Sequence, residues 1–330
     1  MSGQRSRVLT GDRPTGALHL GHYFGTLANR VRLQRDGHEL IVVIADYQVV
    51  ADRDHPGDLR TIVIELVRDY LAVGLDPQDT VVFPHSAVPA LNQLLLPFLS
   101  LVGMGELQRN PTVKDEIRYA GRNSVSGLMF TYPVHQAADI LFCKGELVPV
   151  GKDQLPHLEL ARSIARRFAE RYAPVFPVPE ALLGQAPVLR GLDGRKMGKS
   201  LGNAIALSDD RPAIAAKIRA ARTDSDRSIS YEPERRPEVA NLLMLAALCA
   251  GRSPESVAAD IGRGGSGALK AATVDAVDAL LAPIRERRDA IGDHEVRRLL
   301  RRGIDTATGL ADRTLAEVRC AMGMDLEMEV

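Results

Sequence analysis

Six consecutive apolar residues, Leu40-Ile41-Val42-Val43-Ile44-Ala45, constrain this chain more than any other stretch. A run that is apolar at every position and rich in β-branched residues suits a strand buried on both faces, as in the middle of a parallel sheet. Val8-Leu9-Thr10 before it, and Thr80 to Phe83 and Leu147 to Val150 after it, are further strand-type runs. Helical periodicities fall between them. Leu20, Phe24, Leu27 and Val31 stand at i, i+4, i+7 and i+11, and Ile62, Leu66 and Tyr70 share a face within Leu59 to Val73. Leu91 to Val102, Val134 to Phe142 and Leu155 to Tyr172 also read as helices. Strands alternating with helices predict βαβ units in an α/β fold, a doubly wound parallel sheet with ligands at the carboxyl ends of its strands. Residues 91–126 interrupt that rhythm and read as an insertion.

Pro174, Pro177, Pro179 and Pro187 mark a boundary loop. Past residue 205 the pattern is helical only, over Pro212 to Ala221, Pro237 to Cys249, Pro254 to Ile261, Leu269 to Ile291 and Glu295 to Met322. The expected division is an α/β unit over 1–205 followed by an all-helical unit and C-terminal tail over 206–330. The glycine-rich stretch Arg263 to Gly267 follows no strand, so it is a connector and not a dinucleotide loop.

Bulk chemistry narrows the function. The 42 basic residues balance 42 acidic ones, so any contact with nucleic acid needs a local basic surface. Cys143, Cys249 and Cys320 are scattered without paired spacing, which argues against a disulfide scaffold or a zinc site and fits a reducing cytoplasm. No run is apolar for the length of a bilayer, and Leu94 to Val102 contains Pro97. The expectations are a cytoplasmic chain with no dedicated metal site, no membrane partner and no DNA partner.

Four motifs carry chemistry. In RVLTGDRPTGALHLGHYFGTLANRVRLQ, residues 7–34, a strand meets a Gly/Pro turn and then a helix. That geometry aims backbone N–H groups and a positive helix end at a phosphate. His19 and His22 share one side of the helix start, and Gly21 between them leaves room for a flat ligand. They either cap the helix or stabilise charge on a phosphoryl group. Asp193-Gly194-Arg195-Lys196-Met197-Gly198-Lys199-Ser200 sets two lysines among glycines, suited to closing over a triphosphate. Gly151-Lys152-Asp153-Gln154 follows a strand, where a carboxylate can bond ribose hydroxyls or simply cap a helix. In Thr131 to Leu141, Tyr132, Gln136 and Asp139 form a polar face on an otherwise apolar helix. Such groups satisfy one another or await a ligand, and a carboxylate can select an N–H.

Together these motifs resemble those of bacterial tryptophanyl-tRNA synthetases, class I, subclass c. HLGH resembles the HIGH signature and KMGKS the KMSKS loop, while the TYPxxQAADIL run, VPVGKDQLPHLEL and GELQRNPTVKD fall in the family's order. The resemblance implies a Rossmann-like catalytic domain of the HIGH/KMSKS nucleotidylyl-transferase type, a helical anticodon-binding domain, and a homodimer that uses L-tryptophan, tRNA(Trp) and ATP, with Mg²⁺ held mainly through the triphosphate. It implies that His19, His22, Lys196 and Lys199 are catalytic. ATP contacts would come from Arg13, Pro14, Thr15, Gly21, His22, Gly151, Lys152, Asp153, Val188, Lys196, Met197, Gly198, Lys199, Ser200 and Lys114. Asp139 would accept the indole N–H, and Tyr132 and Gln154 would hold the ammonium group. Leu9, Gln48, Gln136, Val148 and Val150 would line the tryptophan pocket.

The chain departs from the family's usual residues at Gly198 for Ser, Gln48 for His, Gln136 for Met and Glu116 for Lys. The two pocket changes point to altered tolerance of tryptophan analogues, as an auxiliary, inhibitor-resistant copy would need. Tyrosyl-tRNA synthetases share the fold and several motifs, and a paralogue that only binds tryptophan or a partner stays open as an alternative. The arginines at 285, 287, 288, 297, 298, 301 and 302 are either a solvated surface or contacts to tRNA phosphates.

Overall fold

The computed structural model describes residues 5–52, 57–111, 113–114, 126–151, 154–183, 189–195, 197–198 and 201–325. Five strands, β1 (Arg7–Asp12), β2 (Glu39–Ile44), β3 (Thr80–Pro84), β4 (Leu147–Val150) and β5 (Glu180–Leu183), form one sheet in the order β3-β2-β1-β4-β5. Every pairing is parallel. The run that opened the sequence reading is β2, whose last five residues are all buried. β5 is a strand without a sequence signal. Glu-Ala-Leu-Leu lacks β-branched residues, and it sits half-exposed on an edge where pairing with β4 decides its conformation.

The helices are α1 (Leu20–His22), a π-helical turn (Tyr23–Leu27), α2 (Ala28–Arg35), α3 (Asp46–Asp52), α4 (Leu59–Ala72), α5 (Pro89–Gln93), α6 (Leu95–Leu99) and α7 (Met104–Arg109). Then come α8 (Gly127–Leu141), α9 (Leu155–Arg171), α10 (Arg211–Ala220), α11 (Pro237–Ala250), α12 (Pro254–Ile261), α13 (Gly265–Ala290) and α14 (Asp293–Ala321). The expected single helix over Leu91 to Val102 is broken into α5 and α6, because Pro97 has no N–H to give the turn before it. Helix α8 starts seven residues earlier than its apolar pattern, where the Ser126 hydroxyl accepts from the Met129 N–H at 3.1 Å. No helix among the described residues is long and apolar enough to cross a membrane.

Side-chain alternation along the strands separates two cores. Val8, Leu40, Val42, Ile44 and Val82 pack on one face with Leu27, Tyr70, Leu242, Val277 and Leu299. Leu9, Ile41, Val43, Phe83 and Val148 pack on the other with Val134, Leu158, Ile164, Ala307 and Leu315. Helix α14 contributes to both because it crosses β3, the edge strand, and covers it. Several of the arginines from the helical region join it to the α/β elements. Arg287 donates to the Ala72 carbonyl at 2.7 Å, and Arg288 pairs with Asp69 at 2.7 Å and with Glu65.

At the end of β1, Arg30 is almost wholly buried (1% exposed), so its charge needs partners. It donates to Thr10 Oγ1 (3.1 Å), the Gly11 carbonyl (3.1 Å) and Asp12 Oδ2 (2.5 Å), and its guanidinium lies 5.5 Å from the Tyr70 ring centroid. The Tyr70 hydroxyl donates to the same Asp12 oxygen at 2.5 Å. This network fixes the turn on which the first motif is carried.

Candidate active site

A cavity of about 650 Å³ opens at the carboxyl ends of β1, β2 and β4. The strand order reverses between β1 and β4, where an open α/β sheet leaves a crevice for ligands. The first motif forms one wall. His19 has extended backbone (φ −135°) and caps α1, its Nδ1 accepting from the Gly21 N–H at 3.1 Å. His22 Nδ1 accepts from the His19 N–H at 3.2 Å, and the ring centroids are 3.8 Å apart. With each Nδ1 acting as acceptor, each neutral ring carries its proton on Nε2. Capping and ligand presentation are therefore one arrangement: the backbone bonds set the rings, and both rings line the cavity. Burial pushes the Asp12 carboxyl up, but the Arg30 charge and the Arg30 and Tyr70 hydrogen bonds outweigh it, and His22 adds to them. The net result is a carboxyl below its usual range.

The second motif meets the first through the backbone. Leu20 N–H donates to the Ile205 carbonyl (3.0 Å) and Leu207 N–H to the Leu18 carbonyl (3.0 Å), so His19 and Ala206 face each other in an antiparallel bridge. Asn203, 4% exposed, organises the loop between. Its Oδ1 accepts from Gly198 N–H at 2.9 Å, and its Nδ2 donates to Asp193 Oδ1 at 2.8 Å. Hydrogen bonds from Asn203 and Arg195 hold the Asp193 carboxyl down to about 2. Met197 and Gly198 line the cavity. A Cβ on Gly21 would lie 3.0 Å from both the His19 ring and Met197 Sδ, so a side chain there would press on the loop.

The opposite wall is apolar with a few polar groups. Leu9, Val43, Ile140, Val148 and Val150 surround Asp139, Gln48, Tyr132, Gln136 and Gln154. The polar face of α8 is satisfied from outside that helix. His157 Nδ1 lies 2.5 Å from Gln136 Oε1, and the Tyr132 hydroxyl lies 3.2 Å from His157 Nε2. An amide oxygen only accepts, so His157 carries its proton on Nδ1 and Tyr132 donates to Nε2. Asp139 is paired with His85 from the turn after β3, at 2.7 Å.

The structure thus gathers Leu9, Arg13, Thr15, His19, His22, Gln48, Tyr132, Gln136, Asp139, Val148, Val150, Gly151, Gln154, Met197 and Gly198 around one cavity. Pro14 is buried under the turn and Gly21 sits behind His19, neither on the wall. Lys114 is exposed and also stands off the wall. Lys152, Asp153, Val188, Lys196, Lys199 and Ser200 lie outside the described residues, as does Glu116. His157 and His85 were not anticipated. His157 has a signal, standing three residues after Gln154, the N-cap of α9; His85 has none, since its approach to Asp139 is made by the fold.

Among the described residues of the wall, the carboxylates are Asp12 and Asp139, and each already faces a buried basic side chain. They do not form an oxygen cage for Mg²⁺.

A family model described as class I tRNA synthetases (W and Y) matches residues 1–282. The tryptophan–tRNA ligase of Treponema pallidum is 41% identical over 329 residues, spanning 96% of this chain and 97% of that protein. That of Clostridium longisporum is 40% identical over 333 residues, with the same coverage. A crystal structure of tryptophanyl-tRNA synthetase from Campylobacter jejuni, complexed with ADP and tryptophan, superposes with a TM-score of 0.84 at 29% identity, covering 96% of this chain and 99% of that one. A tyrosyl-tRNA synthetase from Archaeoglobus fulgidus gives 0.66 at 25% identity, covering 86% and 90%. On this sequence match and shared fold, the chain belongs to the class I tRNA synthetases of the tryptophan and tyrosine group.

Proposed function

We propose that this chain is a tryptophan–tRNA ligase that activates L-tryptophan with ATP and then transfers it to tRNA(Trp). The observation that carries this reading is the buried carboxylate of Asp139 among the apolar residues Leu9, Val43, Ile140, Val148 and Val150 of the wall. A flat apolar ring with one N–H fits that wall, because a carboxylate accepts hydrogen bonds and offers none. Tyr132 and Gln154 line the same cavity, and the ammonium group is assigned to them by resemblance.

The tryptophan carboxylate is ionised at neutral pH, so it attacks the α-phosphate without help from a protein base. The bond from the α-phosphorus to the pyrophosphate oxygen breaks, giving tryptophanyl-adenylate and pyrophosphate; a terminal hydroxyl of tRNA then attacks the acyl carbon, and AMP leaves as the acyl–phosphate bond breaks. Catalysis is chiefly positioning and stabilisation of charge. Arg13, Thr15, His19, His22, Gly151, Met197 and Gly198 are the described residues for the nucleotide; Asp153, Lys196 and Lys199 complete this set by resemblance. Mg²⁺ enters with the triphosphate, since the described residues of the wall form no oxygen cage. Residues 206–330 are assigned to anticodon binding and the C-terminal tail, the active form to a homodimer, and the location to the cytoplasm.

ATP–pyrophosphate exchange run with each of the twenty amino acids and no tRNA tests the reading. Exchange with tryptophan alone supports it. Exchange with tyrosine would make the chain a tyrosyl enzyme, and tryptophan binding without exchange would make it a non-catalytic paralogue. Lys199→Ala is expected to lower exchange far more than tryptophan affinity.

A further inference from the structure

Behind the cavity wall, two buried histidines that the reaction above does not use stand against Asp139. His85, in the turn His85–Ala87 after β3, is fully buried; His135 and Asp139, one helical turn apart on α8, are 3% and 2% exposed. Asp139 lines the cavity, whereas His85 and His135 do not. His85 Nε2 lies 2.7 Å from Asp139 Oδ1, in a contact bent away from a straight hydrogen bond. The imidazoles are 4.5 Å apart, and the Tyr47 ring lies 6.4 Å from His85 and 6.2 Å from His135.

What distinguishes His85, whose Nδ1 also lacks a hydrogen-bond partner among the described residues, is its contact with Asp139; Asn92 sets only the tautomer of His135. Asn92 Nδ2 donates to the carbonyls of His85 (2.9 Å) and Val88 (3.0 Å), so its Oδ1 is the atom 2.7 Å from His135 Nε2. His135 Nε2 therefore donates, and its Nδ1 has no hydrogen-bond partner. A second proton there would be a buried charge facing another imidazole, and burial accordingly holds His135 below its usual range. Burial pushes His85 down too, but Asp139, with Asp46 behind it, outweighs this and leaves His85 above its usual range.

The same three residues have the composition of a metal site, with ligand atoms within 4.8 Å of one another. Their spacing argues otherwise. Two ligand atoms held tetrahedrally at about 2.05 Å from zinc stand roughly 3.3 Å apart, whereas His85 Nε2 and Asp139 Oδ1 are 2.7 Å apart. That is the contact distance of an ion pair.

We propose that His85 is a positioning residue for amino-acid selection: its imidazolium, set behind Asp139, orients the carboxylate and offsets its charge while the indole N–H displaces water from the cavity side. The inference rests on the tryptophan reading above. Groups facing His85 are Asp139 and His135 on α8, and Asp46 and Tyr47 on α3. As pH rises and His85 loses its proton, Asp139 remains a buried carboxylate without a countercharge, and removing its last water becomes harder. Tryptophan binding weakens in that direction.

The test is the pH profile of exchange with the full-length protein. In the wild type, the KM for tryptophan is expected to rise between about pH 6.5 and 8.5, around and above the ordinary histidine value, while the KM for ATP stays level. His85→Gln keeps a neutral donor and should abolish the rise. His85→Ala should raise the KM for tryptophan roughly ten-fold or more, with a smaller change in kcat. Benzothienylalanine, with the same shape and no N–H, should bind without the pH step. An unchanged KM and unchanged pH profile in His85→Gln, with wild-type exchange intact, would overturn the inference and leave the tryptophan reading standing. Loss of tryptophan binding on chelation, restored by Zn²⁺, would overturn it in favour of a metal centre. Absence of exchange in the wild type would instead remove the reading on which it rests.

Discussion

Gly303 of α14 lies directly against the backbone of Val82 in β3, so close that a Cβ on Gly303 would fall inside the Val82 carbonyl oxygen. The C-terminal helix can therefore cross the sheet edge only at a residue without a side chain. On either side of that crossing it feeds both cores, Leu299 into one and Ala307 into the other. Gly303→Ala should gain helix propensity yet destabilise the protein, because strand backbone cannot yield as a flexible side chain does. Overpacking of this kind costs about 1–3 kcal/mol. Urea unfolding followed by circular dichroism would measure it, and a midpoint equal to or above that of the wild type would refute the close packing.

The sequence reading went furthest where one local pattern had one structural outcome. Leu40 to Ala45 could be little else than an inner strand, and the helices after residue 205 follow their apolar periodicity, except that α13 starts at Gly265, inside the stretch read as a connector. It stopped where tertiary pairing decides. Glu180 to Leu183 becomes a strand only because β4 is beside it, and Tyr23 to Leu27 widens to a π turn inside a run of regular helical spacing. The cavity followed the same division. Asp139 and Gln136 were legible as polar positions on an apolar helix. Their partners, His85 and His157, sit on other elements, 54 and 21 residues away by subtraction of their numbers, and no local rule connects them. The antiparallel bridge of His19 with Ala206 is likewise made by two loops.

The Arg30–Asp12–Tyr70 network should govern acid stability. Arg30 and Tyr70 hold the Asp12 carboxyl below its usual range in the folded state. That stability is complete above the unfolded carboxyl value, near pH 4, and is lost as pH falls through the lower folded value. Arg30→Met strands the half-buried Asp12 carboxylate at the cavity edge and should cost about 3 kcal/mol at pH 7, the low end of the range for breaking a buried pair. Tyr70→Phe, removing one hydrogen bond to a charged group, should cost roughly 1.5–3 kcal/mol. Protonation neutralises the stranded carboxyl in Arg30→Met, so the gap between this variant and the wild type should narrow from pH 7 towards pH 3. A gap constant with pH in denaturant titrations would rule out Asp12 as the linked group.

Thiol chemistry should separate the three cysteines by position. Cys143 is fully buried and Cys249 half-buried, and burial pushes both thiols up to about 12. Cys320 is exposed on the last turn of α14. The thiolate is the reactive form, so a disulfide reagent at pH 8 should titrate Cys320 promptly and the other two only after unfolding. Prompt reaction at Cys143, read by mass spectrometry of the labelled peptides, would contradict the packing beneath β4.

Asn203 should set the rate of activation without touching tryptophan. It holds Gly198 and Asp193 from a buried position, and the chain just beyond it pairs with the residues around His19. Asn203→Ala frees the loop's described part while leaving every residue on the apolar wall in place. Misplacing groups that act on the phosphates can reduce a rate by up to about a hundred-fold, so exchange should slow at least ten-fold on that scale while the KM for tryptophan stays within roughly two-fold. Asn203→Asp should be slower still, since it sets a second carboxylate against Asp193, which is ionised down to about pH 2. Gly198→Ser is the opposing case. A Cβ there would meet Leu201 Cδ1 at 3.6 Å, an ordinary contact, and the backbone is not in the left-handed region. That variant should fold as the wild type does and exchange at least as fast. A slow Gly198→Ser, or a fast Asn203→Ala, would mean that the loop is organised from residues other than Asn203.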